Sequence, residues 1–280
     1  GLRFRGVFQD LVANETANAT AAEFLKAKIR GIVKDPATAE ALSDIDHPYG
    51  GKRPPIDTHY FETFNRPDVT LVNLRETPIE RITPEGVVTS AGLHALDVLV
   101  FATGFDAMTG PLLNLGIEAE GRTLNDAWAE GPSTYLGLQI PGFPNLFTIT
   151  GPGSPSVLTN MPVAIEQHAE WIADCLEALE AKGETRLEAA PEAAAAWGAH
   201  VQEAGNATLL PRVPHSWYLG ANVPGKPRVF MPYAGGMTRY RAICEAAAAA
   251  GYAGFRAGQG EAPPPPDFLP DGHAPLSAAV

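Results

Sequence analysis

The sequence is short of positive charge and of cysteine, and it has no long apolar run. Twenty Lys and Arg face 32 Asp and Glu over 280 residues, a formal net charge of −12. Such a chain has little with which to neutralise phosphates, which argues against nucleic-acid binding, and it carries no Lys/Arg-rich run aimed at a phosphate-rich surface. The only two cysteines, Cys175 and Cys244, stand 69 residues apart in a chain of 280, so neither a disulfide framework nor a zinc-ligand spacing is present. That absence points to a reducing, cytoplasmic compartment. No stretch reaches the ~18 apolar residues that a membrane span requires. HExxH and GxSxG are missing, so metalloprotease and serine-hydrolase chemistry have no motif to stand on. The sequence opens Gly1-Leu2-Arg3-Phe4, with neither an initiator methionine nor an apolar signal segment. It therefore reads as a trimmed chain or as a piece of a longer one.

What is present is ordinary for a folded protein: 45% hydrophobic and 19% charged residues, which excludes disorder throughout. The 26 prolines predict many turns. The periodicity of Ala22, Phe24, Leu25, Ile29, Ile32 and Val33 predicts a helix early in the chain. Asp35-Pro36 breaks it, and a short helix is expected over Pro36–Leu42. Val69–Leu74 reads as a short strand. Ile79–Ile82 and Val87–Thr89 flank Pro84-Glu85-Gly86 as a hairpin. Leu96–Ala102 and Phe143–Thr150 read as apolar strands; the continuous apolarity of the first suggests burial on both faces, as in an α/β sheet. A helix of about 20 residues follows the second, with Val163, Ile165, His168, Ile172, Cys175, Leu176 and Leu179 near one face. Lys182-Gly183 should end it. Further helices are expected over Glu188–Thr208 and Met237–Ala250, before a Pro-rich tail, 258–280, that reads as disordered or loosely draped.

Three segments are candidates for chemistry. Gly151-Pro152-Gly153-Ser154-Pro155-Ser156 links a strand to a helix, as half of a dinucleotide fingerprint would. Glycines there would let a ligand approach the backbone, and the helix start would offer free N–H groups. Ser156 stands where the third glycine belongs, so the fingerprint is incomplete. Gly50-Gly51-Lys52-Arg53-Pro54 places two cations side by side. It is either a compact anion site, with an Arg fork beside a Lys point charge, or a solvated basic loop. Ser216-Trp217-Tyr218 precedes a Gly/Pro-rich turn through Arg228, where Trp217 either lines a pocket or fills core. His168, on the apolar side of its helix, reads as a core histidine.

In combination these segments resemble the C-terminal half of flavin-dependent Baeyer–Villiger monooxygenases of the phenylacetone/cyclohexanone kind. The resemblance is carried, in order, by Gly51-Lys52-Arg53, Tyr60–Asn65, Asp97–Asp106 (DVLVFATGFD), Gly151–Ser156, Asn160-Met161, Ile165–His168 and Ser216–Arg228. It implies an α/β fold that is part of a two-dinucleotide-binding-domain flavoprotein, with incomplete Rossmann-like FAD and NADP domains. In that division residues 1–51 are a helical insertion of the NADP domain and 52–97 close that domain. Residues 98–257 are the C-terminal part of the FAD domain, and 258–280 the tail. The resemblance further implies FAD and NADP as cofactors and a small ketone and O2 as substrates, the product being an ester or lactone. Arg53 would be the catalytic arginine that stabilises charge developing on oxygen, and Lys52 would meet the NADP 2′-phosphate. Trp217 would bond the nicotinamide ribose, with Asn160 and Met161 facing the flavin. Thr103 and Gly104 would belong to the cofactor site, and Ser156, Val157 and Leu158 would shape the substrate pocket. The family's N-terminal part, with its GxGxxG fingerprints, is not in these residues, which implies dependence on that part. Two other readings remain open at this stage: oxidation of an amine or sulfur atom by a related flavin monooxygenase, and a non-catalytic remnant or helper subunit.

Overall fold

A computed structural model describes Phe8 and residues 10–268. The described residues form two compact units, one made of residues 19–46 and 55–105, the other of residues up to 18, 47–54 and 106 onward.

The first unit receives most of α1 (Glu15–Ile32), followed by α2 (Pro36–Ser43) and the single turn α3 (Tyr60–Thr63). The break expected at Asp35-Pro36 is a helix start: the Asp35 carboxylate accepts from the Thr38 N–H, and Pro36 occupies the first turn, where its missing N–H costs nothing. Ile29, Val33 and Ala39 are buried together, with Leu42, Phe61 and Phe64 packed against them. The Asn65 amide closes the C-terminus of α1, donating to the Ile32 carbonyl at 2.8 Å and accepting from the Lys34 N–H at 2.8 Å. Next come β1 (Ile79–Thr83), β2 (Gly86–Thr89) and β3 (Gly92–Ala95), antiparallel in the order β1-β2-β3. The predicted hairpin is therefore present, and β3 is a strand that the sequence pattern did not announce. Gly86 is required at the turn: with φ at +149°, a Cβ there would sit 2.0 Å from the His94 carbonyl oxygen.

Two expected strands of this unit are not strands. Val69–Leu74 and Leu96–Ala102 run without a ladder partner among the described residues. Propensity favours an extended backbone, but a strand exists only where a neighbour pairs with it. Val98, Val100 and Phe101 consequently lie 75%, 78% and 69% exposed, the opposite of the burial expected for them.

The second unit continues with α4 (Gly110–Leu113), the small hairpin β4 (Glu118–Ala119) and β5 (Arg122–Thr123), and α5 (Leu124–Ala127). They enclose Leu124, Trp128, Ile140 and Phe143. Then follow α6 (Met161–Ala181), β6 (Leu187–Ala189), α7 (Pro191–Asn206), α8 (Met237–Ala249) and β7 (Phe255–Ala257), with β6 and β7 antiparallel. Phe143–Thr150, expected as a strand, makes a single bridge, Phe147 to Gln139. The main core is aromatic: Tyr135, Trp171, Trp197, Tyr233, Tyr240 and Phe255. Its polar heads find main-chain acceptors, as buried indoles and phenols must. Trp171 donates to the Cys244 carbonyl at 2.9 Å, Trp197 to Gly153 at 3.1 Å, Tyr135 to Ala253 at 3.0 Å and Tyr240 to Leu136 at 2.6 Å.

α6 buries Ala164, Gln167, His168, Trp171, Cys175 and Leu179, a stripe with steps of three and four residues. Val163, Ile165 and Leu176, expected on that face, lie outside the stripe and are exposed. The helix stops at Lys182-Gly183 as predicted. Gly183 has φ +71°, and the N–H groups of Gly183 and Glu184 return to the Glu180 and Leu179 carbonyls. Part of the segment expected to be disordered or loosely draped is anchored: the Pro263 carbonyl accepts from Gly254 at 2.8 Å, and the Phe268 ring meets Trp197 edge-on at 5.2 Å. Residues 269–280 of that tail lie outside the described residues. Among the described residues no helix is long and apolar enough to cross a membrane, and no group of three or more His, Cys, Asp or Glu could hold a metal ion.

Candidate functional site

The connection from Thr150 to Asn160 is held from every side. Gly151 through Ser156 are all buried. Thr134 donates its hydroxyl to the Pro152 carbonyl at 2.6 Å and Trp197 its indole N–H to Gly153 at 3.1 Å. The Gly153 N–H reaches Met231 O and the Tyr233 N–H reaches Ser154 O, each at 2.7 Å. A Cβ on Gly153 would lie 2.8 Å from the Thr134 hydroxyl and 3.0 Å from the Trp197 nitrogen. These glycines thus admit the protein's own side chains, which corrects the expectation that they open the backbone to a ligand. Thr150 and Ser156 have φ of +56° and +42°. For a β-branched threonine that conformation is strained, and it persists only where surrounding contacts over-determine it.

His168 supplies one of those contacts. Its Nδ1 accepts the Thr150 N–H at 2.9 Å, and its Nε2 lies 2.9 Å from the Tyr240 hydroxyl. That hydroxyl donates to Leu136 O, so it must accept from His168 Nε2–H. Both ring nitrogens are committed, and the ring is neutral with its proton on Nε2. Burial lowers its pKa to about 4. The core reading of His168 therefore stands, with a positioning duty added to it.

A pH dependence follows. In the unfolded chain the imidazole titrates near 6.5; folded, it does so only near 4. Between those values the unfolded state binds a proton that the folded state refuses, so stability falls as pH drops through this window. Integrated to pH 5, the loss is about 2 kcal/mol. His168→Gln keeps an acceptor for Thr150 and a donor for Tyr240 without the titration. Urea unfolding at pH 7 and pH 5 should show a clearly smaller acid loss in this variant. Equal losses would assign the acid sensitivity to other groups.

Beyond the loop, Ser156–Leu158 form a 3-10 turn, with the Ser156 hydroxyl 3.7 Å from the Met108 sulfur. Asn160 caps α6 without a side-chain hydrogen bond to the helix and is exposed; Met161 is half-buried. Val157, Leu158 and Trp217 pack against one cluster, that of Leu210, Tyr218, Leu219 and Phe230. The structure thus joins the expected pocket residues to the expected ribose-binding tryptophan. Trp217 is both half-buried and packed, and among the described residues its indole N–H makes no hydrogen bond.

Lys52 and Arg53 belong to the same unit. Both are exposed, and among the described residues neither pairs with a carboxylate. The loop before them is fixed. The buried Asn18 amide donates to Leu11 O at 2.8 Å and Tyr49 O at 2.9 Å, and accepts from the Tyr49 N–H at 2.8 Å. Gly51 leaves no room for a side chain, since a Cβ would lie 2.5 Å from the Val213 methyl. Val213 leads directly into Ser216-Trp217. Two unpaired cations on a pinned loop can hold an anion; the chemistry of this donor set suits a phosphate and a second, planar acceptor. Thr103 and Gly104 lie in the other unit, exposed, with Gly104 at φ +91°.

Sequence reasoning missed the residues that hold the site in shape. Thr134, Trp197 and Tyr240 come from distant segments, and no spacing rule links them to the loop. Lys226 was also missed; its nearly buried ammonium pairs with the Asp106 carboxylate and donates to Ala107 O at 3.2 Å.

No family profile matches the chain. It is 41% identical over 249 residues to a Baeyer–Villiger monooxygenase of Pseudooceanicola batsensis, covering 88% of this chain and 45% of that protein. It is 42% identical over 258 residues to a phenazine N-monooxygenase of Lysobacter antibioticus, covering 91% and 47%. Among solved structures, an oxidised steroid monooxygenase bound to NADP superposes with a TM-score of 0.84 at 48% identity, over 90% of this chain and 48% of that one. The chain spans about half the length of the relatives it matches. Over nine-tenths of its length it is homologous to the Baeyer–Villiger monooxygenases, two-domain FAD- and NADP-dependent enzymes, and corresponds to about half of one.

Proposed function

We propose that this chain is the part of an FAD- and NADPH-dependent monooxygenase that positions nicotinamide and ketone. The whole enzyme would insert one oxygen atom beside a ketone carbonyl to give an ester or lactone. On this reading residues 1–51 are a helical insertion of the NADP domain, 52–97 close that domain, and 98–257 belong to the FAD domain. The enzyme would work in the cytoplasm, in keeping with two buried free thiols.

One observation carries the reading: the pinned Lys52-Arg53 pair, which has no carboxylate partner among the described residues, shares a unit with the Val157, Leu158 and Trp217 cluster. FAD supplies the oxygen chemistry when bound and reduced; the residues here bind, orient and hold charge. Lys52 would take the 2′-phosphate as a point charge, and Arg53 would hold the negative charge that develops on oxygen at the carbonyl. Trp217 would donate its uncommitted N–H to the nicotinamide ribose. Asn160 and Met161, at the start of α6, would face the flavin ring. Thr103 and Gly104 would lie on the cofactor side, while Ser156, Val157 and Leu158 shape the ketone pocket. No GxGxxG occurs in the chain, so the ADP part of FAD has no phosphate cradle of that type here. The segment that the relatives carry beyond this chain would provide it, and the chain alone would not retain flavin.

A second reading, oxidation at nitrogen, is favoured by the similarity to the phenazine N-monooxygenase. The test joins this chain to the uncovered half of the similar steroid monooxygenase. With NADPH and O2, ketones should yield esters, and flavin should survive desalting only in the joined protein. N-oxide from phenazine with no ester from any ketone would favour the second reading. Flavin retained by this chain alone would refute the dependence on the other half.

A further inference from the structure

The turn from Gly220 to Arg228, which follows Trp217, has little apolar packing of its own. Leu219 and Phe230 at its two ends are buried, while Asn222, Pro224, Gly225 and Arg228 are exposed. Several of its backbone bonds are local: the N–H groups of Gly220, Val223 and Lys226 reach the carbonyls of Trp217, Gly220 and Val223. Bonds of that kind shape a turn without fixing it to the rest of the fold. At its base Arg228 donates to the Pro214 carbonyl at 2.9 Å.

The Lys226 side chain ties the turn to a distant segment. Its stem lies over Gly220, where φ is +70° and a Cβ would come 3.2 Å from Lys226 Cδ. Its ammonium pairs with the Asp106 carboxylate, 120 residues earlier in the chain and in the same unit, and donates to Ala107 O at 3.2 Å. The anchor is itself bedded. Asp106 packs over Gly110, where a Cβ would lie 2.6 Å from the Asp106 Cγ, and Thr109 and Gly110 are buried. Leu112 and Leu113 of α4 pack against the Leu124, Trp128, Ile140 and Phe143 cluster. Met108, between anchor and helix, holds φ +66° and brings its sulfur to 3.7 Å from the Ser156 hydroxyl. Val157 and Leu158, next in sequence, pack on the cluster that also takes Trp217. The contacts close a circuit from the turn through Lys226, residues 106–108 and Ser156–Leu158 back to Trp217.

The charge of Lys226 is already spent. Its side chain is only 10% exposed, and carboxylate and carbonyl together satisfy the ammonium, so it is not free for a ligand phosphate as Lys52 and Arg53 are. Packing alone would be served as well by an apolar side chain, without the cost of desolvating an ion pair; what such a pair can add is a unique register. We propose that Lys226 is a positioning residue: its bond to Asp106 and Ala107 holds the turn so that Trp217 presents its indole N–H to the nicotinamide ribose. This role rests on the reading of Trp217 given above.

The test has two arms. In the chain alone, Lys226→Met keeps the stem over Gly220 and removes the charge. Hydrogen exchange at the amides of Gly220, Ala221 and Val223 should quicken about ten-fold or more, while those of α7 and α8 keep their protection. Asp106→Asn, which preserves shape and removes the partner charge, should act in the same direction. In this chain joined to the uncovered half of the similar steroid monooxygenase, Trp217→Phe should raise the KM for NADPH about ten-fold, as expected for one lost hydrogen bond. Lys226→Met should raise it nearly as much, and the double variant no more than about two-fold beyond the larger single effect, because both remove the same contact. Unchanged exchange in Lys226→Met and Asp106→Asn would overturn the tie. Multiplying effects of Lys226→Met and Trp217→Phe, or a KM that responds to Trp217→Phe alone, would overturn the positioning role and leave the reading of Trp217 in place. A KM unmoved by Trp217→Phe would overturn that reading, and the positioning role with it.

Discussion

Arg53→Ala, in this chain joined to the uncovered half of the similar steroid monooxygenase, should lower ester formation by about 10²–10³-fold while leaving flavin bound and reducible by NADPH. The size follows from what a preorganised cation does in a site screened from water: it stabilises charge that exists only on the way to product, so its loss falls on turnover more than on substrate affinity. Arg53 is suited to this because no carboxylate among the described residues neutralises it. The loop behind it is also fixed by Asn18 and by the close packing of Gly51 on Val213. Arg53→Lys should recover only part of the rate, since it restores the charge without the planar fork. Product formation and NADPH consumption should be measured together; the alanine variant is expected to consume NADPH without making ester. Ester formation near the parent rate would remove Arg53 from the chemistry.

What the sequence disclosed about such a site depended on how local the cause was. Helices were legible because their signals are local: Asp35-Pro36 starts one, Lys182-Gly183 stops another, and the apolar steps of α1 repeat within a few turns. The hairpin around Pro84-Glu85-Gly86 was legible for the same reason. Strands were less so. Leu96–Ala102 has strand composition, but whether it becomes a strand depends on neighbours that no residue within it specifies. On α6 the residues were right and the face partly wrong, because Val163, Ile165 and Leu176 are as apolar as the buried stripe and only packing separates them. The candidate site shows the same division. Lys52-Arg53 and Gly151–Ser156 stood out as motifs. The contacts that fix them, from Asn18, Thr134, Trp197, Val213 and Tyr240, come from segments far apart in the chain, and only the folded structure gathers them.

Trp197 is the residue on which most of that gathering depends. It is fully buried, and its ring lies 5.1 Å from that of Tyr233, 5.4 Å from His200 and 5.2 Å from Phe268. Its indole N–H satisfies the Gly153 carbonyl. Trp197→Ala should therefore cost about 3–5 kcal/mol, the range for emptying a large aromatic site in a core that cannot collapse into the space. Against a total of about 5–15 kcal/mol for a typical domain, that is enough to leave the unit marginal. Trp197→Phe separates the two contributions: it keeps most of the packing and strands the Gly153 carbonyl, for about 1–3 kcal/mol. Urea unfolding should show the midpoint falling in the order parent, Phe, Ala with an unchanged slope; a loss below about 1 kcal/mol for the alanine variant would show that the core does not centre here. The phenylalanine variant carries the functional consequence. Thr150 and Ser156 hold left-handed conformations only because their surroundings insist on them. With the Gly153 anchor gone, the amides from Thr150 to Leu158 should exchange faster while those of α8 stay protected. The pocket residues Val157 and Leu158 would then lose their fixed position before the fold is lost.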